Sequence, residues 1–512
     1  MEDIGKPRTI SQQDESSDEV LGEKCGVFGV FGRGLDVARL AFFGLYSLQH
    51  RGQESSGIAT SDGSQIYSHL GMGLVSQVFD EQSIGALPGY ISVGHNRYST
   101  AGGSRIEYAQ PILVDAGSTQ IALAHNGNLP STTALVAFLK IKGVTVETQS
   151  DSILMAEAIA AVMRGGPVKD GQDPSHGVKK SLEEAVKEVY PLMTGAFSLL
   201  VMSKDELVAL RDPCGLRPLS IGTLNGLPAQ AGGYIFSSET CAFHTVGATH
   251  LRDVAPGEMV IVDGAGMRAV QLAEPNPKLD IFEFVYFSRP DSELLGKSVY
   301  QVRKNFGREL AIEAPISADV VIPVPETSIP AAIGYSQARG IPFEMGLTKN
   351  RYIHRTFIAP EQHIREQGVK AKLTPQVEVI KGRRVAVVDD SIVRGTTSRQ
   401  IVQMLFEAGA TEVHFLVCSP PVVFPDFYGI DTPRQQDLIA ATKTIPQMKE
   451  YLGATSLNFL SFKGMIKATG LPEDRFSTSF FTGEYPIDIK ERRAEISTRP
   501  VCYTPFKEEY VQ

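Results

Sequence analysis

The chain has 512 residues, of which 42% are hydrophobic and 21% charged, and its formal net charge is −9. That length calls for two or more domains, and that composition excludes a wholly disordered chain. The acidic balance argues against wholesale nucleic-acid binding, and no apolar run approaches the roughly 18 residues of a membrane span. The 5 cysteines are widely spaced and include no Cys-x-x-Cys pair, so they fit neither a disulfide framework nor a zinc knuckle. A reducing cytoplasm suits them, and any one could serve as a nucleophile.

Residues 1–24 hold seven acids, three bases and little bulky apolar side chain. They read as disordered, either a frayed terminus or a leader that is removed, without the apolar centre of a signal peptide. From Cys25 the character changes. Residues 25–31 (CGVFGVF) alternate as a buried strand does, and 35–48 have helical apolar spacing. Short β-rich runs follow at 94–101, 121–129 and 197–202, with one clear helix near 152–163. This predicts an α/β domain with antiparallel sheets over 25–270. Residues 271–280 carry two prolines and no apolar period, and read as a linker.

Over 281–470 the rhythm becomes βαβ. Strands are predicted at 320–324, with Pro323 at the end, and at 384–388 and 413–418. Between the last two, 398–408 form an amphipathic helix stopped by Gly409. Strand, loop, helix and strand predict a parallel sheet. Residues 471–512 read as a C-terminal segment that packs back or is partly disordered. Its charged end, 490–512, suggests no function.

Two constellations carry chemistry. In VAVVDDSIVRGTTS over 385–398, an apolar strand runs into Asp389 and Asp390, then a loop, then a helix. Such a loop presents backbone N–H groups at the positive end of a helix, which suits a phosphate. Arg394, Thr396 and Thr397 add donors, and Gly395 permits close approach. The two acids can accept from sugar hydroxyls or hold Mg²⁺. A lone acid pair would read as a solvated turn; the whole ordered string is similar to the phosphoribosyl pyrophosphate (PRPP) signature of type I phosphoribosyltransferases. Upstream, Lys349, Arg351 and the basic residues to Lys372 form either a solvated loop or a lid over pyrophosphate. Thr327, in Glu326–Ser328, follows another strand end and offers a hydroxyl to a metal or pyrophosphate.

The second constellation centres on Cys25. Cleavage after Lys24 would give it a free α-amine titrating near 7.7–8.0, a built-in general base for its thiol. Arg97 suits a carboxylate. Asn126 and the Gly127 N–H suit an oxyanion, and Asp151 suits an ammonium group. Each alone is better explained as a cap or a turn; the set, in this order, points to a small amino-acid substrate.

The runs CGVFG from Cys25, LQHRGQESSG over 48–57, the Arg97 motif, HNGNL over 125–129, RDPCGLRPL over 211–219 and SSET over 237–240 resemble class II glutamine amidotransferase domains. YFSRPDS over 286–292, 349–357 and 388–397 resemble the partner half of the amidophosphoribosyltransferase family. The first half alone also suits asparagine or glucosamine-phosphate synthases, which the PRPP motif excludes. The resemblance implies an N-terminal-nucleophile αββα domain followed by a type I phosphoribosyltransferase domain with a parallel sheet. It implies that Cys25 releases ammonia from glutamine, with Arg97 and Asp151 holding the substrate and Asn126 and Gly127 its oxyanion. Ammonia then displaces pyrophosphate from PRPP to give 5-phosphoribosylamine, opening de novo purine synthesis. Asp389 and Asp390 would bind ribose and Mg²⁺, with Thr327 as a further metal ligand. Arg394, Gly395, Thr396 and Thr397 would hold the 5′-phosphate, Lys349 and Arg351 would belong to the PRPP site, and Tyr98 would couple the sites. Purine nucleotides are expected as inhibitors and a homotetramer as the assembly, with no nucleic-acid or membrane partner.

Some relatives with a leader carry an iron–sulfur cluster on four cysteines. The matching positions here are Asp280, Asp426, Ser477 and Phe480, and such a cluster needs thiolates, so none is expected. Two rivals remain: a PRPP-binding regulator without turnover, and an enzyme limited to free ammonia because its leader is uncut.

Overall fold

Alternation along Gly26–Gly32 sets two layers at once, because successive side chains of a strand point to opposite faces. Phe28 and Val30 enter one core cluster with the helix Val37–Ser47, while Val27 and Phe31 enter another with the strands of a second sheet. The computed structural model describes residues 25–98, 105–148, 150–165, 179–224, 232–350, 372–430 and 434–497. The expected leader, Arg351 and most of the basic loop lie outside the described residues.

Gly26–Gly32 is the centre of a seven-stranded antiparallel sheet. Ile91–Arg97, Ser55–Ser61 and Ile66–Met72 lie in order on one side, and Gly232–Ser237, Ser220–Leu224 and Ala248–Asp253 on the other. A six-stranded antiparallel sheet faces it, in the order Gly266–Gln271, Glu258–Asp263, Leu207–Arg211, Thr194–Met202, Gln120–Ser131 and Ile112–Asp115. Ala59, Val93, Ala124, Leu200 and Val260 fill the space between the sheets. Helices Val37–Ser47 and Cys241–Val246 cover the outer face of the first sheet, and Thr133–Ile141, Asp151–Arg164 and Leu182–Val189 that of the second. This is the αββα arrangement of the N-terminal-nucleophile fold.

Four parallel strands follow, in the order Val320–Pro323, Arg384–Asp389, Glu412–Val417 and Ser456–Phe459. Helices Val299–Glu313 and Ile329–Arg339 cover one face, and Thr396–Glu407 and Ile445–Leu452 the other. Strand 320–323 ends on Pro323 as its sequence demands. Helix Thr396–Glu407 begins two residues before the predicted start. Gly395, with φ of 81°, takes the turning conformation there, and a side chain in its place would meet Ile439. The run predicted at 94–101 is a strand only to Arg97, and residues 99–104 lie outside the described ones.

Residues 271–280 are tied down rather than trailing. Asn276 and Lys278 donate backbone N–H groups to the carbonyls of Pro213 and Cys214, at 2.9 and 2.8 Å. Leu279–Asp280 then pairs in parallel with Phe476–Ser477 of the C-terminal segment. Among the described residues no helix is long and apolar enough to cross a membrane.

The helices Val299–Glu313 and Ile329–Arg339 cross at glycines. A Cβ on Gly307 would lie 1.8 Å from the Ala331 carbonyl oxygen, and one on Gly334 2.0 Å from that of Lys304. Gly307→Ala should therefore push the helices apart and destabilise the protein by about 1–3 kcal/mol. A lowered thermal midpoint in a melt monitored by circular dichroism checks this; an unchanged midpoint would contradict the close crossing.

Candidate active site

Four sequence-distant segments converge on one cavity of about 220 Å³. Cys25 precedes the central strand, Arg97 ends the neighbouring strand Ile91–Arg97, Gly127 lies in Gln120–Ser131, and Asp151 opens the helix Asp151–Arg164. All four line the cavity, together with Tyr98. The two strands run antiparallel, with Gly26 opposite Asn96, and this brings the end of Ile91–Arg97 beside Cys25. Cys25 is part-buried and its Sγ lies 3.8 Å from the carbonyl oxygen of Tyr98. Burial raises the thiol pKa, outweighing the opposing effects of that contact and of the Arg97 charge. The thiol is therefore protonated near neutrality and needs a base before it can attack.

Asp151 is set up for the opposite state. Burial acts to raise it, but His125 and the backbone N–H groups of Leu129 and Ser152 prevail and lower its pKa. Those N–H groups lie 3.0 and 2.6 Å from its oxygens. Its position in the first turn of a helix favours the same charge. An ionised carboxylate in this wall suits an ammonium group. On the other side, Arg97 is nearly buried, bonds Glu54 at 2.9 Å and lies over the Tyr108 ring at 5.5 Å. Asn126 sits behind the wall at 1% exposure, and its Nδ2 finds no hydrogen-bond partner among the described residues. A buried donor left unpaired costs about 1–3 kcal/mol, so it is a fitting donor for a transient oxyanion.

Reading the sequence did not find the rim of this cavity. Glu491 and Arg492, from the turn Lys490–Glu495 near the C-terminal end, also line it. Arg492 lies 4.8 Å over the Phe427 ring, and Asn128 Nδ2 donates to the Phe427 carbonyl at 2.9 Å. No local signature marks these residues. Glu54 was within reach, since it stands in the motif 48–57.

The second group of residues gathers at the carboxyl ends of the parallel strands, where open α/β sheets bind ligands. Asp389 ends the strand Arg384–Asp389, and both it and Asp390 are buried. Thr327 bonds the Asp390 carboxylate, Ser391 donates to it at 2.8 Å, and the Ser328 hydroxyl lies 3.5 Å from Asp389. Burial raises the Asp390 pKa against those hydroxyls; a cation beside it would reverse that penalty. Gly395, Thr396 and Thr397 form the cap and first turn of the following helix, with Arg394 just ahead of it. Lys349 is exposed at the end of a two-stranded ribbon, Leu347–Lys349 with Leu373–Pro375.

Two carboxylates and a hydroxyl form an all-oxygen donor set, and Mg²⁺ is held by one or two carboxylates plus substrate phosphates. These residues fit that ion. Asp280, Asp426, Ser477 and Phe480 do not fit an iron–sulfur cluster. Asp280 and Asp426 lie 2.7 and 3.4 Å from Arg217, and the Phe480 ring lies tilted against Phe282 at 4.3 Å between centroids.

A family model described as a glutamine amidotransferase domain matches residues 95–245. An amidophosphoribosyltransferase of Synechococcus elongatus is 48% identical over 470 residues, covering 92% of this chain and 92% of that protein. One of Bacillus subtilis is 44% identical over 475 residues, covering 92% and 95%. A solved structure described as the allosteric regulatory enzyme of purine biosynthesis matches with a TM-score of 0.82 at 44% identity, covering 91% of this chain and 97% of that one. Glutamine PRPP amidotransferase from B. subtilis, complexed with ADP and GMP, matches with a TM-score of 0.81 at 43% identity, covering 91% and 98%.

Beneath Cys25, Arg51 donates Nε to the Cys25 carbonyl at 3.2 Å and bonds Glu239. Burial alone would raise Glu239, but His50 and Arg51 prevail and hold it down at about 2. An unfolded glutamate titrates near ~4.3. With the folded value below the unfolded one, the stability Glu239 contributes is fully present above pH ~4.3 and is lost as pH falls towards about 2. Glu239→Gln should melt well below wild type at pH 7, and the gap should narrow as melts are repeated from pH 5 down to pH 3. A gap that stays constant with pH would contradict the ion pair.

Proposed function

The chain belongs to the amidophosphoribosyltransferase family, and on that premise we propose that its two sites divide the reaction between Cys25 and the Asp389–Asp390 pair. The protein is a glutamine-dependent amidophosphoribosyltransferase acting at the first step of purine biosynthesis. The observation that carries the division of labour is the cavity in which Cys25, Arg97, Gly127 and Asp151 meet.

In this reading Arg97 pairs with the α-carboxylate of glutamine and Asp151 with its α-ammonium, which places the side-chain amide against Cys25. Removal of residues 1–24 frees the Cys25 amine. That amine takes the thiol proton, which burial otherwise retains. Sulfur attacks the amide carbon, and the Gly127 N–H and Asn126 Nδ2 receive the oxyanion. The tetrahedral intermediate collapses, the C–N bond breaks, and the proton passes from the amine to the leaving ammonia. Water then hydrolyses the thioester, releasing glutamate and restoring the thiol.

At the second site the cap of the helix Thr396–Glu407, with Arg394, holds the 5′-phosphate of PRPP. Asp389 and Asp390 accept from the ribose hydroxyls. Asp389, Asp390 and Thr327 would hold Mg²⁺, which would neutralise charge on the departing pyrophosphate. Ammonia forms the new C–N bond at carbon 1 as the C–O bond to pyrophosphate breaks. Lys349 and Arg351 belong to this site, and Tyr98, on the Cys25 cavity, serves in coupling the two.

We place the change from one half to the other at 271–280. Purine nucleotides are the proposed inhibitors, in keeping with the ADP and GMP bound by the B. subtilis relative. A cytoplasmic homotetramer is the proposed working form.

Cys25→Ala should abolish pyrophosphate release from PRPP with glutamine and spare it with ammonium ion. Loss of both would contradict separate sites. In the wild-type protein, intact mass should show loss of residues 1–24; a full-length chain with full glutamine activity would contradict the free-amine base.

A further inference from the structure

The motif LQHRGQESSG over 48–57 has no role in the chemistry above, yet its Arg51 is among the largest side chains wholly buried in the molecule. One end of that side chain holds the Cys25 carbonyl, at 3.2 Å. The other end donates to both carboxylate oxygens of Glu283, at 3.1 and 3.2 Å. Glu283 stands on the far side of the 271–280 crossing and opens the π-helical turn Glu283–Phe287. Arg51 thus joins the main chain of the nucleophile to the half of the chain that carries Asp389 and Asp390.

The turn is fixed from its other side too. Ser288 Oγ donates to Glu283 at 2.7 Å. Arg303, on the helix Val299–Glu313, donates Nε to the Phe284 carbonyl and Nη2 to that of Ser288, both at 2.8 Å. Arg303 is 2% exposed, and its Nη1 finds no hydrogen-bond partner among the described residues. The carboxylate whose charge acts most strongly on Arg303 is Asp390. A contiguous run of hydrogen-bonded groups therefore leads from Cys25 through Arg51, Glu283 and Ser288 to Arg303. Such a network is the physical medium by which sites communicate.

A guanidinium bonded to both oxygens of a carboxylate fixes the orientation of each partner. Orientation matters at Cys25, since a misplacement of about 1 Å in a reacting group costs on the order of 100-fold in rate. We propose that Arg51 and Glu283 are positioning residues for the glutamine reaction, holding the Cys25 main chain in register with the phosphoribosyl site. Glutamine cleavage depends on this contact, and transfer of free ammonia to PRPP does not. The proposal rests on the two-site reading above. A purely structural ion pair would affect both activities alike.

The test compares wild type, Glu283→Gln and Ser288→Ala. Pyrophosphate release from PRPP is measured with glutamine and, separately, with ammonium ion. The quantity read is the ratio of the two rates, which does not depend on how much of each preparation is folded. We expect the ratio to fall by about tenfold or more in Glu283→Gln, within the usual range of coupling between sites, and by less in Ser288→Ala. Ratios within about twofold of wild type in both variants overturn the proposal. If Glu283→Gln yields no active protein, Ser288→Ala decides alone: a lowered ratio supports the proposal and an unchanged one overturns it. Wild-type protein that releases no pyrophosphate from PRPP with ammonium ion would instead sink the two-site reading, and this proposal with it.

Discussion

Arg51 and Arg217 are taken wholly out of water where the two halves of the chain meet, and everything around them answers to that cost. A buried cation is tolerated only when carboxylates and hydrogen bonds replace its hydration. Arg51 has Glu239 from the first half and Glu283 from the second, while Arg217, from the first half, has Asp280 from the 271–280 crossing and Asp426 from the second half. Glu283 also lies 3.8 Å from Arg217, so the two clusters share a member. Removing Arg217 would leave Asp280 and Asp426 buried without their cation, at a cost of about 3–5 kcal/mol for a broken buried pair. The geometry between the cavity at Cys25 and the phosphate loop is therefore set by electrostatics as much as by apolar packing. Burial pushes Asp280 and Asp426 up to about 6 against the pull of Arg217.

This arrangement explains why chemistry and connectivity are separated along the chain. Apart from Asn126 and Gly127, inside the strand Gln120–Ser131, the groups assigned to chemistry stand beside the ends of strands or in the first turn of a helix, where they can meet a substrate. The groups that hold the halves together lie behind them, paired and dry. Arg51 belongs to both sets, because a single guanidinium reaches the Cys25 carbonyl and the Glu283 carboxylate.

Much of this was legible in the sequence where function is local. The phosphate loop is one uninterrupted string, 385–398, in which strand, acids, glycine and hydroxyls appear in working order. The antiparallel sheets could be read from alternation in 25–31 and from β-rich runs such as 197–202. The Cys25 cavity is assembled from four segments, and each left a short recognisable motif. What escaped notice depends on pairing at long range. Arg51 and Glu283 are separated by 232 positions and Arg217 and Asp426 by 209, so neither partner has a neighbour that betrays the other. Glu491 and Arg492 reach the cavity only because the C-terminal segment folds back, and a charged turn of that kind reads as solvated surface. Prolines marked 271–280 as a linker but could not show that its backbone bonds the turn at 213–216.

The central claim is that glutamine hydrolysis and displacement of pyrophosphate are two halves of one reaction. The most direct measurement follows glutamate and pyrophosphate together, with purified protein, glutamine and Mg²⁺, in the presence and absence of PRPP. The account requires the two products to appear in equal amounts, and only when PRPP is present. Glutamate released at the same rate without PRPP, or accumulating without pyrophosphate, would contradict it.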